Sequence, residues 1–376
     1  MSMHDEINLR LPGPTPLPPS VLAAMARPMI DHRGPEYAAL QAEILKGLRI
    51  FFQTEHDVLL FSASGTGGLE AAIVNVLSPG DRVLAVSIGV FGERFARIAE
   101  AYGADVTRLE IPWGKATGPE ELAAALSVDP PYDAVLLTAN ETSTGVLQDI
   151  PSLIAAMKAA PSVMPLILVD AISALGAVDL PLDSLGIDVL ITGSQKVWMA
   201  PPGLTMIGVS AKAWEYNARA RMPRFYFDFV RQRDAQTKGQ DSFTPAVSSL
   251  FGLHQGLNLL NAEGLQAVIQ RHQDVARQTQ AGLAALGFTL FADEPHRSPT
   301  VTAASPPPGL DAKALVVYAR VHERLVLGGG QDRLAGKIIR VGHMGWVEPA
   351  QISKTLASLE RCLKALSLPA GPGRPS

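Results

Sequence analysis

Seven short apolar runs constrain this chain more than any other feature: Val58 to Phe61, Val83 to Val86, Val106 to Ile111, Ala134 to Thr138, Leu166 to Val169, Val189 to Thr192 and Leu204 to Val209. Between most of them lie helical patterns, GLEAAIVNVLS, FGERFARIAEAYG, PEELAAALS and PSLIAAMKAA. Apolar runs of this length alternating with amphipathic helices predict an α/β fold, with a mainly parallel seven-stranded sheet covered on both faces. In such a sheet ligands bind beyond the carboxyl ends of the strands.

A chain of 376 residues can bury a large core and divide in two. Gln232 to Gly239, QRDAQTKG, is polar without periodicity and predicts an exposed loop. The long helix pattern AEGLQAVIQRHQDVARQTQAGLAALG then opens a smaller α/β unit, with strands near Thr289 and Val301, the helix DAKALVVYARVHERL, the strand KIIRVG and the helix EPAQISKTLASLERCLKALS. The proline-rich RLPGPTPLPPS predicts an extended arm packed on another surface, a partner subunit being one candidate. The expected divisions are an arm over residues 1–20, a large domain over 21–258, a small C-terminal domain over 259–368 and a disordered tail over 369–376.

With 32 Lys and Arg against 36 Asp and Glu, the net charge of −4 gives no long-range pull toward nucleic acid or an anionic membrane. The start, MSMHDEINLR, lacks the basic and apolar regions of a signal peptide, and the most apolar stretch, Val163 to Leu182, contains Asp170 and Asp179. A cytoplasmic location is the default expectation. Cys362 is the only cysteine, which rules out an internal disulfide and a cysteine-based metal site. The histidines show no ligand spacing, so no metal is expected.

Chemistry enters where polar residues stand at strand ends. Asp170 follows LILV, and Lys196 follows VLITGSQ just before the stiff apolar WMAPPG. Asp170 can be a helix N-cap and Lys196 a solvated loop lysine. Delivered together to one sheet edge, an acid and a base suit pyridoxal 5′-phosphate, with Asp170 on the ring nitrogen and Lys196 forming an imine with the aldehyde. A lysine in an apolar pocket has a lowered pKa and can carry protons. The stretch Phe61 to Gly68, FSASGTGG, runs into a helix whose free amides fit a phosphate, although Ser and Thr there also serve as plain caps. Phe91 is either a core aromatic or a ring-stacking one, with Ile172 placed for the opposite face. Asn140 to Gly145, NETSTG, is a polar turn or a source of Thr142 as a partner for the ring oxygen. Arg340, in KIIRVGHMG, is either a structural ion pair or a two-pronged grip on a substrate carboxylate.

Taken in order, LPGPTPLPPSV, SASGTGGLEAA, NETSTGV, LVDAISALGA, TGSQK, APPGL, FTPAVS and RVGHMG resemble the class V, fold-type I pyridoxal-phosphate aminotransferases, in the alanine-glyoxylate and serine-glyoxylate group, over almost the whole chain. The resemblance implies a large cofactor-binding domain with a smaller C-terminal one. It implies Lys196 as the imine lysine and Asp170 as the ring-nitrogen partner. Ser64, Gly65, Thr66 and Gln195 would hold the phosphate, Thr142 would face the ring oxygen, and Arg340 would bind the substrate carboxylate. It also implies a homodimer in which Thr244 reaches the phosphate of the other subunit. Two positions depart from the family: the stacking residue, often Trp, is Phe91, and the Tyr three residues before the threonine is Asp241. An ionised carboxylate cannot donate to phosphate, which sets Asp241 apart from the family's Tyr and leaves open whether it replaces or loses that contact.

The implied reaction is a ping-pong transfer from alanine or serine to glyoxylate or pyruvate. The rival is a related enzyme using 2-aminoethylphosphonate or pyridoxamine with pyruvate, and a non-catalytic cofactor-binding protein is a further alternative. A cysteine desulfurase needs a loop cysteine, whereas Cys362 lies in a helical pattern. Gly13, Arg33 and Tyr37 are the candidates for substrate choice.

Overall fold

The computed structural model describes residues 7–128, 130–159 and 164–367. The strands, in chain order, are β1 (Asn8–Arg10), β2 (Asp57–Phe61), β3 (Arg82–Ser87), β4 (Asp105–Glu110), β5 (Ala134–Thr138), β6 (Asn140–Glu141), β7 (Val146–Leu147), β8 (Leu166–Asp170), β9 (Val189–Gly193), β10 (Thr205–Val209), β11 (Thr289–Leu290), β12 (Val301–Ser305), β13 (Leu325–Gly329) and β14 (Ile339–Gly342). Seven of them form one sheet in the order β2-β10-β9-β8-β5-β3-β4, parallel except for β10. The predicted α/β architecture and all seven predicted strands are present.

Strand burial follows from position in the sheet. Every residue of β5, β8 and β9 is buried, because helices cover both faces of the central strands. At the edge, β4 keeps polar side chains and remains partly exposed. Side chains alternate between two apolar layers: Leu166 and Leu168 join one core, Ile167 and Val169 the other. Asp170 therefore continues the Leu166–Leu168 face, the one covered by the helices Gly65–Val76 and Val90–Ala101. The first of these helices lies close on the sheet because Gly68 has no side chain; a Cβ there would stand 2.9 Å from Ile191 Cγ2.

The second sheet has the order β1-β13-β14-β12-β11. The N-terminal arm begins as part of it, since β1 pairs in parallel with β13 of the same chain. The helices Leu265–Ala285, Ala312–Glu323 and Pro349–Ser367 cover this sheet around Leu283, Leu315 and Leu359. Cys362 is buried in this core, which pushes its thiol up to about 11, as befits a packed thiol and not a nucleophile. Gly264, at φ 87°, divides the long C-terminal helical pattern from the helix Val247–Glu263 before it. Residues 369–376, expected to be disordered, lie outside the described residues.

The predicted loop at Gln232 to Gly239 is corrected: the helix Phe229–Gln236 runs through most of it, capped by Asp228, whose side chain accepts from Arg231 N. The helix looks polar because its partner is backbone. Gln236 bonds Leu60 N at 2.9 Å and Val58 O at 3.0 Å, and Gln232 Nε2 donates to Leu60 O at 2.7 Å. Two glutamines thus occupy the open edge of β2, where an eighth strand would otherwise pair.

Candidate active site

Asp170 and Lys196 meet at the carboxyl end of the sheet in a cleft of about 510 Å³, lined also by Ser64, Thr66, Phe91, Thr142 and Gln195. Asp170 ends β8 and turns back, its Oδ1 accepting from Ile172 N at 2.9 Å. Burial raises its pKa to about 7, with the neighbouring charge of Glu141 adding to the shift. Lys196 follows β9 and is only 9% exposed. Its pKa falls to about 8 because burial penalises the ammonium more than Asp170 rewards it.

The lysine is held from two sides. Behind it, Trp198 is buried against Phe51 and Phe52 and donates to Thr192 Oγ1 at 3.0 Å. In front, the N-terminal arm crosses over it: Thr15 N donates to Gln195 O at 3.2 Å, Thr15 Oγ1 donates to Lys196 O at 3.1 Å, and Lys196 Nζ donates to Pro12 O. Gly13, proposed from the sequence as a substrate-choosing residue, lies directly against the lysine side chain, where a Cβ would come within 2.5 Å of Nζ.

Ser64 caps the helix Gly65–Val76, its Oγ accepting from Gly67 N at 3.2 Å. The first-turn amides of Gly65 and Thr66 have no acceptor within the helix and open on the cleft. Gly65 leaves room for Ile172, since a Cβ there would stand 2.6 Å from Ile172 Cδ1 and displace that side chain. Gln195 closes the cup over Gly193 and Gly65, and its Oε1 is buried without a hydrogen-bond partner, as is Asn140 Oδ1 in the same cleft. Free amides at a glycine-lined helix start call for an anionic guest, and the two orphaned amide oxygens for a donor. Phosphate fits the cup, the Asp170 carboxylate suits a protonated ring nitrogen, and Phe91 and Ile172 supply apolar walls. The residues fit pyridoxal 5′-phosphate.

Phe91 begins the helix Val90–Ala101, whose start is fixed by a residue that sequence reasoning passed over. Glu141, fully buried, accepts from Phe91 N at 2.9 Å and Gly92 N at 3.2 Å through Oε2, and from Ser143 N at 3.0 Å through Oε1. Asn140 Nδ2 donates to Ser173 Oγ at 2.8 Å and Thr300 Oγ1 at 3.0 Å, which ties β6 to the Asp170 loop and to the second sheet. Both residues stand in the NETSTG turn, but only spatial position reveals their partners.

Among the described residues Arg340, on β14, has no ion-pair partner. Its Nε donates to Gly329 O at 2.8 Å, and Nη1 donates to Thr142 O at 3.0 Å and Gln331 Oε1 at 3.1 Å. It stands directly behind Thr142 and does not line the cleft itself, and burial lowers its pKa to about 10. Among the described residues its Nη2 has no hydrogen bond.

Thr244 is exposed and lies apart from the cleft of its own chain, in a shallow groove with Ser62, Tyr226 and Asp241. Asp241 is an internal acceptor, bonded by Tyr37 Oη, Gln232 Nε2 and Gln41 Nε2. Tyr37, expected in a substrate loop, is instead fully buried on the helix Pro35–Phe52, because its hydroxyl satisfies that carboxylate. Arg33, the third substrate-loop candidate, is exposed in the turn before this helix and not in the cleft. Among the described residues no helix is long and apolar enough to cross a membrane.

The family model for class V aminotransferases matches residues 7–317. The chain is 40% identical over 366 residues to the soluble hydrogenase 42 kDa subunit of Anabaena cylindrica, covering 97% of this chain and 95% of that one. It is 37% identical to the L-aspartate–glyoxylate aminotransferase of Paracoccus denitrificans, over 96% of this chain and 91% of the relative. The crystal structure of an alanine–glyoxylate aminotransferase from Nostoc superposes with a TM-score of 0.90 at 32% identity, covering 96% of this chain and 98% of the other. Sequence and fold agree with the cleft chemistry: this chain belongs to the class V aminotransferases, enzymes of fold-type I with pyridoxal phosphate as cofactor.

Proposed function

We propose that the enzyme moves the amino group of a small amino acid, alanine or serine, to glyoxylate or pyruvate in a two-step ping-pong exchange, working as a homodimer in the cytoplasm. The observation that carries the reaction type is the buried pair of Asp170 and Lys196 in one cleft, with pKa values brought to about 7 and about 8. Bound there, pyridoxal phosphate supplies an aldehyde for the amino group and a ring that takes up the electron pair left when the α-proton departs. Lys196, neutral for much of its time near pH 8, takes that proton at Nζ and returns it to the neighbouring carbon. Asp170 keeps a proton on the ring nitrogen facing it. Ser64, Gly65, Thr66 and Gln195 bind the phosphate, Thr142 faces the ring oxygen, and Phe91 and Ile172 hold the ring between them.

Arg340 gives the preference for an acid substrate: Nε and Nη1 are anchored on Gly329 O and Thr142 O, and Nη2 reaches a carboxylate past Thr142, which stands between the guanidinium and the cleft. The glyoxylate acceptor draws support from the names of the Paracoccus and Nostoc relatives. The homodimer draws support from an exposed aromatic surface near Thr244: Phe225 is 67% exposed, and Tyr226 stacks on Phe243 at 5.0 Å.

Half-reaction spectra test this reading. Alanine or serine, added singly to the yellow enzyme, is expected to abolish its visible band, and glyoxylate or pyruvate to restore it. If 2-aminoethylphosphonate or pyridoxamine alone discharges the band, the donor assignment fails. Lys196→Ala is expected to lose covalent attachment of the cofactor and to slow turnover by about 10²–10⁴-fold; retained attachment would overturn the central role of Lys196.

A further inference from the structure

Three charged side chains line the cleft among the described residues: Asp170, Lys196 and Arg94. Asp170 and Lys196 are opposite in charge, each moderating the other. Arg94 also bears on Asp170, less than Lys196 does, but among the described residues has no carboxylate paired with it. It stands one helical turn after Phe91, on the same face of the helix Val90–Ala101. The adjacent carboxylate, Glu93, is taken by Arg97 at 3.0 Å and Arg108 at 3.0 Å. Among the described residues no carboxylate lies within ion-pair distance of the Arg94 guanidinium.

Two contacts fix its direction. The guanidinium carbon lies 4.6 Å from the centre of the Phe91 ring, and Nη1 donates to Thr66 Oγ1 at 3.2 Å. A hydroxyl that accepts from arginine keeps its own hydrogen for another acceptor. Thr66 stands in the first turn of the phosphate cup, so that hydrogen is available to a guest in the cleft.

The charge balance of the cup gives this arrangement a purpose. A phosphate monoester carries about −1.5 to −2 near neutral pH, and a helix N-terminus answers with about +0.5. Ser64, Gly65, Thr66 and Gln195 are all neutral. We infer that Arg94 is a positioning residue for the cofactor phosphate: it turns the Thr66 hydroxyl into a donor toward the cup and supplies the positive charge that the cup's own donors lack. Its contact with Phe91 fixes the stacking ring and the phosphate donor through one side chain.

This inference rests on the cofactor assignment and not on the choice of amino donor, so its test reads binding without turnover. Cofactor-free full-length enzyme is titrated with pyridoxal phosphate and, separately, with pyridoxal, which has the same ring and aldehyde without the phosphate. Arg94→Gln is expected to weaken pyridoxal phosphate about tenfold or more while changing pyridoxal less than about twofold. Arg94→Lys, which keeps the charge, is expected to recover most of the loss. In a Thr66→Val background the effect of Arg94→Gln is expected to shrink, because part of it passes through the hydroxyl. Equal weakening of both ligands would reduce Arg94 to a support for Phe91 and overturn the inference, as would no change in either. Thermal unfolding of each cofactor-free variant identifies a misfolded protein. If Arg94→Gln is one, Arg94→Lys decides alone, with a weakening of about threefold expected for pyridoxal phosphate only and any other pattern counting against the inference.

Discussion

Replacing Gly13 by alanine separates two roles of the N-terminal arm. The first is conformational: Gly13 has φ 107°, a region that a side chain enters at a cost of about 1–3 kcal/mol. The second is steric. An added Cβ would stand 2.5 Å from Lys196 Nζ and 2.8 Å from both Cδ and Cε, and ordinary contact begins near 3.4 Å. The lysine tip must therefore retreat by about 0.9 Å, and a reacting group misplaced by about 1 Å can lose 10²-fold in rate. Gly309→Ala is the control, because Gly309 has φ 86° but nothing within 4 Å of its would-be Cβ. Both variants are expected to lower Tm by roughly 1–6 °C. Only Gly13→Ala is expected to lower kcat, by about 10²-fold. Kinetics on the purified variants beside thermal unfolding read both effects. A Gly13→Ala enzyme with kcat within about threefold of the parent would show that the arm does not hold the lysine in place.

Two further outcomes follow from the structure. In cofactor-free enzyme Lys196 is expected to ionise near pH 8 in place of 10.5, so its labelling by an amine reagent, followed by mass spectrometry, should rise with a midpoint near 8; a midpoint near 10.5 would refute the burial argument. Because the folded value is the lower one, the unfolded chain binds the extra proton between these limits, and this group's contribution to stability grows as pH rises from about 8 to 10.5. Gln236→Ala removes both bonds to the edge of β2 and is expected to cost about 1–3 kcal/mol, read as a lower urea midpoint at constant slope; an unchanged midpoint would mean that water replaces the glutamine without loss.

The sheet was legible in the sequence because its strands are local signals: mostly apolar runs of four to six residues, broken by turns and helix caps. Asp170, Lys196 and the Ser64 to Thr66 helix start were legible for the same reason, as polar residues placed where an apolar strand ends. The helix Phe229–Gln236 was not, since its glutamines bind strand backbone more than 170 positions away and leave no amphipathic period. Glu141 and Arg94 were missed because a buried acid at a helix start and an arginine beside an aromatic have no meaning until their partners are in place.

The sequence by itself determined the kind of sheet and placed Asp170, Lys196 and the helix start at Ser64 at the carboxyl ends of its strands, because each is written within one short segment. Tertiary structure alone decided how the site is held. Lys196 is met by Pro12 from 184 positions away, and Thr142 by Arg340 from 198. Contacts at such separation depend on where the chain has returned after folding, which no local pattern encodes.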